Sequence, residues 1–409
     1  MSFSIANTGL SAVTEQLNSI SNNIANSGTK GFKSSRTEFA SMYAQSQPLG
    51  VGVSGTTQSI KKEGSIDRTG NAMDLAISGS GFFVVKNSNG EDAYTRAGMF
   101  NTDNNGLLVN ASGMKLQGYP ADAAGNVQTG LIGDLKISTT GLPAKASSKL
   151  DFMANLPASD THPANTPFDI ADKNTYNYMA TSTAYDSLGR EHLLTQYFVK
   201  MPTAGEWQVH YAVDGIIYTA PPTVPPATPQ TATHNLQFNT SGVLTGGSSK
   251  GLTGAYSQNG AAGYDIKLDY TGTTQFQSEF LPTLNKGNGY TAGTKNGERI
   301  ESDGSVYATF SNGERMLQGK LALANFANPN GLAAQNGTTW SVTGKSGGAL
   351  LGAPGTGLLG GIEVGALESS NVDLTAELVG LMTAQRNYQA NTKIISTNDS
   401  MMNALFQVL

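Results

Sequence analysis

Between Phe3 and Ile24, apolar residues recur at alternating steps of three and four: Phe3, Ala6, Leu10, Val13, Leu17, Ile20 and Ile24. This spacing is a narrow heptad seam and predicts a helix over about residues 3–26. Ser2 is its candidate N-cap and Gly28 its candidate C′ residue. Gly9, inside the helix, costs about 1 kcal/mol relative to Ala. A helix of about 36 Å is marginal alone in water, so the seam requires a partner. A second helical pattern, about 55 Å long, runs from Leu374 to Leu409. Its seam passes through Leu374, Leu378, Leu381, Gln385, Tyr388, Thr392, Ile395, Asp399, Met402, Phe406 and Leu409, with Asn371 or Asp373 as the cap. Polar residues at three seam positions weaken it as a dimer of itself and help to specify register. The two terminal helices are therefore expected to pair as a coiled coil.

Between them the pattern is β. Residues 29–70 read as a linker with short extended pieces. The region 74–142 has short strands with hairpin turns at Asn89-Gly90 and Asn105-Gly106. Residues 149–283 form another β block, interrupted by the Pro/Thr-rich stretch 219–233, which reads as an exposed loop. A third block turns at Asp303-Gly304 and Asn312-Gly313. The expected fold class is mainly β with α-helical termini, in a nested multi-domain architecture. Residues 1–70 and 363–409 form the terminal helical region with its linker. Residues 71–148 and 285–362 form a β-rich middle domain, and 149–284 a second, inserted β-rich domain.

Composition narrows the function. Glycine is 49 of 409 residues, about 12%, against a usual 7% or so, and only 13% of residues are charged. That favours turns and short strands over packed helices. The net charge of −5 comes with no basic run, which argues against nucleic acid as a partner. The absence of cysteine removes disulfides, thiolate metal sites and thiol nucleophiles. No apolar run approaches the length of a membrane span, so no membrane insertion is expected. The first residues lack the basic and apolar regions of a Sec-type signal peptide.

Two motifs carry a family resemblance. NNIANSGTKGFK, residues 22–33, resembles the N-terminal signature of bacterial flagellar rod and hook proteins. ALESSNVDLTAELVGLMTAQRNYQAN, 366–391, resembles the matching C-terminal signature. The segment 154–200 is similar to the outer domain of the hook-forming members. The resemblance implies a structural subunit, not an enzyme, that polymerises into the flagellar hook. That curved, flexible tube couples rod to filament, transmits motor torque and encloses a central export channel. It also implies a homo-polymer that contacts the distal rod protein, the hook cap and the hook–filament junction protein. The expected location is extracellular, in the flagellar hook, after export by the flagellar type III pathway without a cleaved signal peptide. The implied assembly interface comprises Phe3, Leu10, Val13, Leu17, Ile20 and Ile24 on the first helix. On the second it comprises Leu374, Leu378, Leu381, Tyr388, Ile395, Met402, Phe406 and Leu409. Asn22, Asn23, Asn26, Gly31 and Phe32 mark the signature turn, where the inner layer leads into the linker. Polar, glycine-rich outer β surfaces are implied to slide as the tube bends. The alternatives are a straight rod-type protein of the same family, or a secreted β-rich adhesin or carbohydrate-binding protein.

Motifs for chemistry are weak by comparison. Gly50–Gly55 matches GxGxxG without the flanking strand and helix of a dinucleotide site. Gly247–Gly251 matches GxSxG within a polar loop. NTDNNG, 101–106, imitates the start of a calcium loop but has Ser112 at the twelfth position, and reads better as a hairpin turn. His162, His192, His210 and His234 lack metal-ligand spacing. No catalytic residue, cofactor or metal is expected.

Overall fold

The computed structural model describes residues 2–44, 47–122, 125–220, 230–255, 261 and 264–408. Helix α1 spans Ser2–Ala25 and helix α2 spans Leu374–Val408. The chain folds into two compact units. The first comprises Met1–Thr139, Gly297–Thr309 and Arg315–Leu409; the second comprises Thr140–Asn296 and Phe310–Glu314.

The first unit interleaves the two halves of the sequence. One sheet orders strands 305–310, 315–321, 115–120, 82–86, 92–95, 339–341 and 333–335 as neighbours. Early strands thus pair with late ones. Ile66–Arg68 pairs with Ala366–Glu368, and Leu75–Ser78 with Gly361–Val364, all antiparallel. Phe82, Val84, Tyr94, Phe326 and Trp340 form an aromatic core with Ile60. The Phe82 ring meets Phe326 and Trp340 edge-on, at 5.8 and 5.5 Å between centroids. Such edge-to-face contacts add to simple area burial.

The stretch read as a linker contains more structure than its sequence indicates. Strand β1, Ser35–Ala44, pairs antiparallel with β2, Gln47–Gln58. Two register shifts, at Glu38/Phe39 and Met42/Tyr43, bulge the ladder and blur the period-two pattern along the sequence. The four expected turns all form, with Gly90, Gly106, Gly304 and Gly313 at positive φ.

The second unit is two sheets around one core. The first orders strands 249–255, 264–269, 149–155 and 281–287; the second orders 178–185, 191–200, 206–213, 233–238 and 244–246. Phe152 from one stacks on Phe198 from the other at 5.4 Å. Tyr211, Tyr270 and Gln196 link their polar atoms inside this core, at 3.0 and 2.6 Å. Of the Pro/Thr-rich stretch, 221–229 lies outside the described residues.

Candidate assembly site

Helix α1 is held on two sides. On one, Val13 and Ile20 meet Ala384 of α2 in a buried cluster, with Leu17, Ile24 and Leu381 packed around it. The helices run antiparallel. The Asn23 amide donates to Glu377 Oε1 at 2.9 Å, Gly380 lies beside Ile20, and Gly9 lies beside Asn391. Each step up α1 is a step down α2, so Ser2 lies level with about Asn398, and the last turns of α2 run beyond α1. A Cβ on Gly9 would lie 2.9 Å from Asn391 Oδ1, so glycine permits this close approach. On its other side α1 carries the β1–β2 hairpin. Ala12 and Ser19 are buried there, and the Ser19 and Thr37 hydroxyls lie 2.8 Å apart.

The expected interface residues are distributed unevenly. On α1, Val13 and Ile20 are buried, and Leu10, Leu17 and Ile24 are half-buried. On α2, Leu381 and Ile395 are half-buried, but Leu374, Leu378, Tyr388 and Met402 are exposed. The side chains of Phe3 and Phe406, and the whole of Leu409, lie outside the described residues. The face of α2 that meets α1 is built from Glu377, Gly380, Leu381, Ala384 and Asn391. It is offset from the stripe of large apolar residues, because close helix packing selects small side chains.

The signature turn is a hydrogen-bonded knot. Asn26 bonds back to Asn22 through both its backbone and its side-chain amide, and Asn26 Oδ1 accepts from the Thr29 hydroxyl. Asn23 is 2% exposed and ties three elements together. Its amide donates to the Ser35 carbonyl at 2.7 Å and to Glu377, and its Oδ1 accepts from the Ser35 amide at 2.9 Å. Gly31, not Gly28, is the residue at positive φ, +73°. A Cβ there would meet the Ala97 amide nitrogen at 2.5 Å, so only glycine fits. Phe32 is half-buried, and its carbonyl accepts from the Asn371 amide at 3.4 Å.

Beneath the knot lies a charge cluster that pattern reasoning missed. Lys33 Nζ donates to Glu368 Oε1 at 2.6 Å and to the Lys62 carbonyl at 2.7 Å. Arg96 Nη1 donates to Glu368 Oε2 at 3.1 Å, and Arg96 Nη2 to the Gly79 carbonyl at 2.8 Å. The Gly64 amide also donates to Glu368 Oε1 at 3.0 Å. All three side chains are nearly inaccessible. Burial pulls the Lys33 ammonium below the usual lysine range, and the Glu368 carboxylate opposes that pull. Asn371 serves this junction, not the helix cap. Its Oδ1 accepts from the Ser34 amide at 2.7 Å, and its amide donates to the Ser59 and Lys62 carbonyls. Asp373 caps α2 by accepting from the Thr375 and Ala376 amides. The cluster therefore joins both quoted motifs, through Lys33 in the first and Glu368 in the second.

The motifs weighed for chemistry serve the fold. Gly50–Gly55 lies within β2, and 247–251 runs into strand 249–255. In 101–106, Asp103 Oδ1 accepts from the Asn105 and Leu107 amides to shape a hairpin turn. His210 stacks on Phe168, and His234 on Tyr270. His192 Nδ1 is 2.7 Å from Asp214 Oδ2, and His162 Nδ1 is 2.6 Å from the Lys200 carbonyl. Among the described residues no group of three or more His, Cys, Asp or Glu could hold a metal ion. Nor is any described helix long and apolar enough to cross a membrane.

Four family models match along the chain. Residues 3–33 match the flagella basal body rod protein model, and 76–146 the flagellar hook protein FlgE/F/G D1 domain. Residues 155–290 match the flagellar basal body protein FlaE D2 domain, and 363–408 the C-terminal model of the flagellar basal body rod FlgEFG proteins. The chain is 41% identical to the flagellar hook protein FlgE of Salmonella typhimurium over 411 aligned positions, covering 99% of each. It is 40% identical to that of Escherichia coli, again over 99% of each, and 32% identical to that of Brucella suis, over 97% and 96%. A crystal structure of Helicobacter pylori flagellar hook protein FlgE2 shares the fold with a TM-score of 0.53 at 14% identity, covering 74% of this chain and all of that one. Paired terminal helices, the knotted signature turn and near full-length identity to hook proteins from several bacteria lead to one conclusion: this chain belongs to the flagellar hook protein FlgE family.

Proposed function

We propose that the protein is the structural subunit of a flagellar hook, a curved tube that couples rod to filament and transmits motor torque by bending. The observation that carries this reading is the antiparallel α1–α2 pair, which leaves large apolar residues of α2 exposed. Leu378, Val379, Met382 and Ile394 are each about half exposed or more. Apolar surface of this kind on a helix calls for further copies of the chain. Burying one such side chain on assembly contributes about 1.5–3 kcal/mol. The sequence seam residues Leu374, Leu378, Tyr388 and Met402 then serve contacts between subunits, while Val13, Ile20 and Ala384 hold the pair within one. The helical termini line the channel and the β-rich middle and inserted domains form the outer layers. The subunit reaches its place through the flagellar type III export pathway and meets the distal rod protein, the hook cap and the hook–filament junction protein. No reaction is assigned to it.

Complementation tests the reading. In a bacterium lacking its own hook subunit, expression of this chain, with its native rod and junction partners, restores swimming and gives curved hooks on isolated basal bodies. Straight extensions would transfer the protein to a rod-type role, and secretion without any extension would contradict a polymeric role altogether.

A further inference from the structure

A cavity of about 270 Å³ opens beside the charge cluster, within the first unit. Arg96 belongs to both. Its Nη atoms serve Glu368 and the Gly79 carbonyl, and its side chain also lines the cavity. The residue is 3% exposed, yet its Nε–H has no acceptor among the described residues. A buried donor left unmade is costly, so this place is short of an acceptor. Other lining groups repeat the imbalance. Lys61 Nζ, the Ser80 hydroxyl and Asn325 Nδ2 also lack an acceptor among the described residues. Charge is unbalanced in the same sense. Lys33 and Arg96 share the one carboxylate of Glu368, and all three side chains are nearly inaccessible. At the rim the exposed Lys61 and Glu63 offset each other, so the excess is one positive charge. The remaining walls are apolar, with Phe82 and Phe326 meeting edge-on and Pro329 buried beside them.

We infer that this cavity is a binding site for a small organic carboxylate. The carboxylate oxygens take up the donors of Lys61, Asn325 and Arg96 Nε, and the apolar part of the ligand lies against Phe82, Phe326 and Pro329. A single negative charge balances the one cation in excess. A doubly charged oxyanion overshoots that balance and leaves the apolar walls without contact, so phosphate fits less well. Charge-assisted hydrogen bonds of this kind are among the stronger ones, because the cavity is partly shielded from water. The place of the site in the fold gives the ligand an effect. Lys33 and Glu368 come from opposite ends of the sequence, and Arg96 ties their cluster to the cavity. An occupied cavity therefore holds the two ends of the chain together more firmly, and by mass action it stabilises the folded subunit.

The full-length, unpolymerised chain is titrated with butyrate at constant ionic strength and followed by protein NMR. The expected result is a set of saturable shifts at the backbone amides of Lys61, Gly81 and Ala327, all of which line the cavity. Two substitutions place a carboxylate where the ligand's would sit. Lys61→Glu and Asn325→Asp should each weaken butyrate by about tenfold or more. Asn325→Asp keeps the oxygen that accepts from the Phe326 amide, so an unchanged unfolding midpoint without ligand verifies its fold. Glu63→Gln removes the competing carboxylate and should tighten binding, a gain that a purely structural role for these residues does not give. Inorganic phosphate, titrated in parallel, should bind less tightly than butyrate. Phosphate that binds as tightly or more so overturns the assignment to an organic carboxylate. No saturable shift with either ion overturns the site, and so does an affinity that is the same in wild type and all three variants.

Discussion

Glu368 accepts from two cations and a backbone amide in a site where its side chain is 1% exposed. Its worth lies in what its loss would strand. Glu368→Ala leaves Lys33 and Arg96 buried without a counter-charge, and a loss of about 3–5 kcal/mol in urea unfolding is expected. Lys33→Met keeps the Arg96–Glu368 pair and much of the buried volume, and the expected loss is smaller. An unchanged midpoint for Glu368→Ala would mean that the cluster does not hold the two ends together. His210, in the second unit, gives a pH signature. Burial against Phe168 lowers its pKa from the ordinary 6.5 to about 4. The folded state therefore favours the neutral ring. Its contribution is complete above pH 6.5 or so, falls as the pH drops towards 4, and is constant below that. The span is roughly 3 kcal/mol. His210→Gln should flatten this part of the stability–pH curve of the protein, and an unaltered slope would remove His210 as its cause.

At the scale of elements, the helix pair depends on small residues. Ala384 is fully buried between the cluster residues of α1. Ala384→Glu places a carboxylate there, separates the helices and leaves each marginal by itself. Far-UV circular dichroism should lose most of its helical signal while the strand signal stays. Retention of the helical signal would show that α1 and α2 stand without each other. The pair was legible from the α1 seam, because Val13, Leu17, Ile20 and Ile24 lie on the packed face. Of the partner face on α2 only Leu381 was legible; Gly380 and Ala384 were not, since they carry little apolar mass for a periodicity to register. Asn-Gly and Asp-Gly dipeptides located four hairpins because positive φ restricts the choice of residue there. The β1–β2 hairpin escaped notice for the opposite reason. Its bulges and the glycines at 50, 52 and 55 disrupt the alternation by which a strand is recognised. Lys33, Arg96 and Glu368 were hidden because charge pairs across hundreds of residues leave no local pattern.

For the whole molecule, nesting is the governing feature. Strands 66–68 and 75–78 pair with 366–368 and 361–364, and the two helices meet from opposite ends of the sequence. Long-range pairing of this kind makes the first unit depend on both ends of the chain being present. Removing α2 from Leu374 onward should therefore expose the buried face of α1 and abolish assembly, while the core of the second unit stays intact in hydrogen exchange. Protection lost evenly through both units would contradict that independence. The central claim is that the folded chain is a subunit whose uncovered helix surface drives a tubular polymer. It is tested most directly by concentrating the purified full-length protein with a precipitating salt and imaging it by electron microscopy. The account predicts curved or flexible tubes with a central channel, walled on the inside by α1 and α2. Monodisperse particles under every condition, even when seeded with hook fragments, would contradict it.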